Sequence, residues 1–281
     1  MKSIESYLKK IVDWTGIFYP ITSTIKTLTD GHNQLITMKQ EYDVQLKRKI
    51  LDNASLNDIE KSILISNIHK STIEFVNKAR ILDSAITNVD LQKQVYEPDQ
   101  DWVLYFFDQA KNISDEQMQS VWGKVFALYL EGKLNNNRKI VNALALLEQK
   151  DIDCFCSLCS MTFNNLSNQS SFYPFIYIVD SPSYYNNYNI RRFNLKQLDY
   201  LGLIEYDNNS NFVLPTTVPK LQYGKNTVEL SHVDRVSNGN VRFTEIGQSL
   251  YNITDVSELD DFIEHCKFVW KKKGIRYKIT S

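Results

Sequence analysis

Three cysteines stand at Cys154, Cys156 and Cys159, with a fourth at Cys266, and this C-x-C-x-x-C spacing is the first feature that could carry chemistry. Thiolates hold zinc or attack carbonyls, but both uses need partners in fixed geometry. The three thiols lie in DIDCFCSLCSMTF, a helix-like segment in which offsets of two and five spread them around the cylinder. No second Cys/His pair at zinc-finger spacing follows, so buried or half-buried thiols in a reducing cytosol are expected rather than a metal centre. The four histidines, His32, His69, His232 and His265, stand alone in sequence and read as surface or capping groups. Glu205 and Asp207 fall on a predicted hairpin, yet no lysine follows at the offset that a D-x-n-E-x-K nuclease core needs. The motifs G-x-x-x-x-G-K-[ST], G-x-G-x-x-G, G-x-S-x-G and H-E-x-x-H are missing from the sequence. No catalytic residue, cofactor or metal can be named, and a non-enzyme is the expectation.

Cations offer the other chemistry, the capture of phosphate. The chain has 32 basic against 33 acidic side chains, which excludes a polycation that coats nucleic acid by charge alone. The distribution is uneven. Residues 161–266 hold 7 basic and 12 acidic groups, whereas residues 267–281 hold 6 basic groups and no acid. Within the acidic stretch, Arg191, Arg192 and Lys196 sit at the start of a predicted helix, where base-reading residues of DNA-binding helices lie. In the tail, Lys271, Lys272, Lys273 and Arg276, with Lys267 and Lys278, alternate with Phe268, Trp270 and Tyr277. That pattern could clasp a phosphate backbone or an acidic partner. It equally fits helix-dipole complementation, because Asp255, Glu258, Asp260 and Asp261 precede the helix that the lysines close.

The elements that must position these groups are helical over the first half. Leu35, Met38, Tyr42, Leu46 and Ile50 form a stripe at helical spacing, and Ile59, Ile63, Ile68, Thr72, Val76, Ala79, Leu82 and Ile86 form a second. Two long helices are expected, as an intramolecular hairpin or as part of a dimer seam, with Ser55 capping the second. A helix beginning after Pro98 turns Trp102, Tyr105, Phe106 and Ala110 inward, and Ser114 with Gln117 reads as a capping box for the next. Met118, Val121, Trp122, Val125, Phe126 and Tyr129 continue it until Gly132. Helices over 138–148 and 151–163 follow.

Beyond Phe163 the composition turns to Asn, Ser and Tyr, and short strands are expected. One covers residues 175–179. A hairpin in LIEYDNNSNFVLP turns at Asn208 and Asn209, a second turns at Gly224-Lys225-Asn226, and VRFT adds another strand. Between them, LKQLDYLGLIEY supplies a helix with Leu195, Leu198 and Leu201 inward, a glycine turn at Gly202, and the start of a ribbon; Thr244 then caps a short helix. That order is the grammar of a winged helix-turn-helix. The expected fold is therefore mainly α, with a helical domain at 1–163 and a winged-helix-like α+β domain with a basic C-terminal helix or tail at 164–281. Such a domain serves nucleic-acid contact, protein–protein packing or a purely architectural role.

No secretory signal or stretch of roughly 20 apolar residues is present, so a cytoplasmic protein is expected. Near the N-terminus Leu8, Ile11, Trp14 and Phe18 share one helix face beside Lys9 and Lys10. The face either packs on the protein's own core or lies in a membrane interface.

Residues 97–133 resemble the signature of a bacterial family of unknown function, DUF2806. Asp101-Trp102, Phe106-Phe107, Ala110, residues 113–116, Met118-Gln119 and Trp122 carry the match. Upstream, HKSTIEFVNKA is similar to a further family motif; downstream, LGLI and Thr244-x-x-Gly247-x-x-Leu250 match two more. The similarity runs from about residue 65 to the C-terminus. It implies relatives near mobile elements and phage-defence loci, abortive-infection proteins among them, and carries over no catalytic residue. The functional expectation is a non-catalytic binding or adaptor protein in phage defence. It would engage a protein partner, a second copy or nucleic acid through its C-terminal half. The alternative is a membrane-acting abortive-infection effector.

Overall fold

The computed structural model describes residues 4–16, 25–90, 94–134, 138–166, 171–215, 220–231 and 235–280. The chain divides into two compact units, Met1–Ala145 and Leu146–Ser281.

The first unit is helical: α1 (Ile4–Thr15), α2 (Ile25–Leu51), α3 (Asp58–Asn88), α4 (Gln100–Ala110), α5 (Glu116–Leu130) and α6 (Arg138–Leu146). The helices α2 and α3 are the long pair the two stripes predict, and they pack on each other. The seam is partly polar. Buried Asp43 accepts from Thr72 Oγ1, while Met38 and Tyr42 are exposed, so the stripe on α2 is rotated away from its partner. Caps fall close to the expected positions but on other residues. Asn57, with Glu60, forms the capping box of α3 in place of Ser55. Asp115 accepts from Met118 N and caps α5 in place of Ser114, and its negative charge also complements the helix dipole.

The core of this unit is aromatic. Trp102 stacks on Tyr129 with centroids 3.9 Å apart, and Phe106, Phe107, Trp122 and Phe126 close around them. At Gly123 the helices α3 and α5 come so close that a Cβ would stand 2.9 Å from Ala85 N and nearer still to Ser84. Glycine is the residue that permits this approach.

The second unit begins with α7 (Gln149–Cys159), β1 (Thr162–Asn165), β2 (Phe172–Pro174), α8 (Pro182–Asn186) and α9 (Arg192–Tyr200). It continues with β3 (Ile204–Tyr206), β4 (Phe212–Val213), β5 (Leu221–Tyr223), β6 (Asn226–Ser231), β7 (Ser237–Gly239) and β8 (Val241–Phe243). It closes with α10 (Glu245–Tyr251), α11 (Phe262–Lys272) and β9 (Arg276–Thr280). Five strands form an antiparallel sheet in the order β2-β1-β5-β6-β9. Phe163, Tyr223, Phe262 and Trp270 pack where α11 meets that sheet. The fold is thus mainly α, with an antiparallel sheet toward the C-terminus.

Four expectations about the β elements need correction. The Asn208–Asn209 turn does not close a hairpin, because β3 pairs with β8 instead (Ile204↔Phe243), and the same two arms continue as β4 with β7. Asp207 Oδ1 accepts from Asn209 N and Ser210 N, and Asn240 Nδ2 donates to the carbonyls of Asp207 and Ser210. The Asn-rich segment is therefore a bulge held from the facing arm, and turn-forming residues suit either role. Helix α7 stops at Cys159, so Phe163 sits on strand β1. The strand expected at 175–179 is instead β2, with Ile176 making a single bridge to Gly239. Finally, the basic C-terminal segment is a helix, α11, followed by a strand that was not expected: residues 276–280 pair with β6 at the edge of the sheet. The hairpin at Gly224 forms as predicted.

Candidate functional site

Helix α9 gathers the first group of candidate contacts. Leu195 and Leu198 are fully buried, and they fix which way the helix faces. Arg191, Arg192 and Lys196 are exposed and make no ion pair among the described residues. Arg192 lies near Tyr206, whose phenol is pushed up by burial and pulled back by that guanidinium. On a helical wheel Phe193 and Tyr200 fall opposite Leu195 and Leu198. They are 73% and 82% exposed, which puts two aromatic rings on the outermost ridge of the helix, with Lys196 between them. Sequence reasoning passed over both rings, although the wheel alone would have found them.

The segments C-terminal to α9 hold it in place. Gly202 takes φ +74°, turning the chain into β3. Thr244 Oγ1 donates to the carbonyl of Gly202 at 2.6 Å and accepts from Gly247 N at 3.1 Å, so one hydroxyl ties the turn to the start of α10. The Thr-x-x-Gly and LGLI motifs are thus two halves of one joint.

The tail candidates are dispersed. Lys271 and Lys272 project from the last turn of α11, with Phe268 exposed beside them. Lys273 is engaged: it pairs with Asp180 at 2.8 Å and stands over the Tyr177 ring. Arg276 and Lys278 lie on β9, where with Lys220, Glu229 and Tyr277 they line a shallow groove. Glu229 is matched by Lys220 at 3.0 Å, and that contact holds its carboxyl below the usual range.

The motif block at 97–133 is architectural. Asp99 caps α4 by accepting from Trp102 N, and Asp99 N donates to Tyr129 Oη. Buried Gln119 donates to Asn77 Oδ1 and to the carbonyl of Ile113, pinning the loop between α4 and α5. The indole N–H groups of Trp102 and Trp122 find no acceptor among the described residues. Such orphans cost about 1–3 kcal/mol each, an expense that the packed rings outweigh.

Leu8 and Ile11, offered as a membrane face, are buried where α1 packs on α4, and Trp14 is half-buried. Phe18 lies outside the described residues. No described helix is long and apolar enough to cross a membrane.

Burial raises all four thiols, Cys154 to about 12, which works against thiolate chemistry near neutral pH. The described residues hold no group of three or more His, Cys, Asp or Glu that could bind a metal.

One cluster had no signal in the sequence, because its members lie some 80 residues apart. His265 stacks on Tyr184 with centroids 3.6 Å apart, its Nε2 meets Tyr185 Oη at 3.2 Å, and Tyr184 and Tyr188 both donate to Asp261. Burial pulls His265 down to about 4, against the upward pull of Asp261. Between about pH 6.5 and pH 4 the unfolded chain therefore holds the extra proton, and stability falls as the solution is acidified through that window. Melting temperatures from pH 7.5 to about pH 5 should drop more for the wild type than for His265→Gln. Parallel curves would show that His265 is not the group responsible.

Residues 70–267 match the model of a family described as "Protein of unknown function (DUF2806)". No curated protein and no solved structure matches the chain.

Proposed function

The chain belongs to the DUF2806 family, proteins of unknown function, and we propose that it is a non-catalytic nucleic-acid-binding protein acting in phage defence. Its C-terminal unit is a winged-helix-like reader, with α9 as the reading helix and β3–β8 as the ribbon. The observation that carries this reading is that Arg192 and Lys196 stand exposed on α9 away from buried Leu195 and Leu198, with Arg191 exposed at its N-cap, and that none of the three makes an ion pair among the described residues. Helix α7, the Gly202 turn, the β3–β8 ribbon and α10 support the reading, although β1, β2 and α8 fall between α7 and α9 and β4–β7 between the ribbon's two strands. Lys271, Lys272 and Arg276 form a second, separate set of phosphate contacts. A protein partner is the competing ligand.

Charge reversal at Arg191, Arg192 and Lys196 tests the reading. Removing three phosphate contacts should lower the slope of log affinity against log salt by roughly two, with a large loss of affinity at low salt. An unchanged slope and affinity would overturn it. The membrane-effector alternative would first have to pull Leu8 and Ile11 out of their packing on α4. That costs about 1.5–3 kcal/mol for each buried aliphatic side chain, and no observation favours it.

A further inference from the structure

The outer ridge of α9 carries two aromatic rings in line, Phe193 and Tyr200. Phe193 and Tyr200 stand seven residues apart, about 10 Å along the axis, which is the span of about three stacked nucleotides. Lys196 lies between them and Arg192 beside them, both open to solvent. A helix that reads duplex DNA presents its ridge to paired base edges, and those edges are recognised by forked donors and acceptors such as Arg, Asn and Gln. Phe193 offers only a ring. Tyr200 adds one hydroxyl at the far end of the helix, away from the turn where base contacts are made. Ring faces recognise the faces of bases, and these are accessible only when the bases are unpaired.

We propose that the ridge of α9 binds single-stranded nucleic acid, with Phe193 and Tyr200 as stacking platforms, Lys196 on the phosphates between them and Arg192 on a phosphate beyond Phe193. This rests on the nucleic-acid reading above and narrows it to unpaired strands. Arg192 and Lys196 outnumber Asp199, the one acid exposed on α9, and that net positive charge favours a phosphate polymer over an apolar protein groove. The stacking chemistry is common to DNA and RNA.

The test uses the full chain with fluorescein-labelled oligothymidylate, oligouridylate and a duplex, each about 20 nucleotides long, read by anisotropy at two salt concentrations. Both single strands should bind at least about tenfold more tightly than the duplex. The Phe193→Ala, Tyr200→Ala double variant should lose about a hundredfold in single-strand affinity with its salt slope unchanged. Phe193→Tyr with Tyr200→Phe should restore binding, and a 2-aminopurine strand should be quenched by the wild type but not by the alanine variant. Equal or tighter duplex binding, or alanine variants that bind like the wild type, would overturn this inference and leave the nucleic-acid reading standing. Failure to bind any of the three probes would sink both. Melting temperatures of the ring variants serve as the folding control, since both side chains are exposed.

Discussion

Truncating Phe126 to alanine is expected to destabilise the N-terminal unit by about 3–5 kcal/mol, the usual cost of removing a buried phenyl ring. Phe126 is fully buried and stands among Trp102, Phe106, Phe107 and Tyr129, at centroid separations from 5.0 to 6.1 Å. Those neighbours are held from two helices, by the Asp99 cap and the Gln119 bridge, so they are poorly free to collapse into the space left behind. Part of the loss is ring–ring geometry, worth about 0.5–1.5 kcal/mol per pair beyond the area buried. Urea unfolding followed by tryptophan fluorescence should show a lower midpoint, because Trp102 and Trp122 report on this core. A loss below about 1 kcal/mol would mean that the site relaxes and that the core is less rigid than its packing implies.

Gly247→Ala should be nearly as damaging, by about 3 kcal/mol, for a different reason. A Cβ there would stand 1.9 Å from the carbonyl oxygen of Leu203. That carbonyl is held in place, since it accepts from Thr244 N at 3.1 Å. Helix α10 would have to lift off the turn that ends α9. The expected result is a lower melting temperature together with, under the function proposed above, weaker binding of nucleic acid, because the helix that carries Arg192 and Lys196 loses its support. Thr244→Ala removes the same joint's hydroxyl but adds no clash, and should cost only about 1 kcal/mol. If Gly247→Ala melted within a degree or two of the wild type, about the resolution of such a scan, the two elements would not be in register as described.

Much of this was readable before any coordinates. The long helices, the aromatic helix pair, the Gly224 hairpin and the Thr244 cap all follow from patterns spanning a few residues. Helical hydrogen bonds join residues four apart, so the information that makes a helix lies within it. Even the errors at Ser55 and Ser114 were small, because neighbouring polar residues compete for one cap. The partner of β3 was another matter. Residues 204–206 meet residues 241–243, and nothing in either stretch names the other. The basic tail read as a helix end with loose cations, yet its last residues complete a sheet whose other strands begin at Thr162.

The amino-acid order alone therefore determined where the long helices run and that no familiar catalytic or metal-binding pattern is written into the chain. Tertiary structure alone decided which strands pair, that Lys273 is spent on Asp180 while Lys271 and Lys272 stay open, and that His265 stacks on Tyr184. The division has one physical cause. Helix formation is settled by contacts between near neighbours in sequence, whereas strand pairing and side-chain clusters are settled by segments dozens of residues apart that compete for the same buried space.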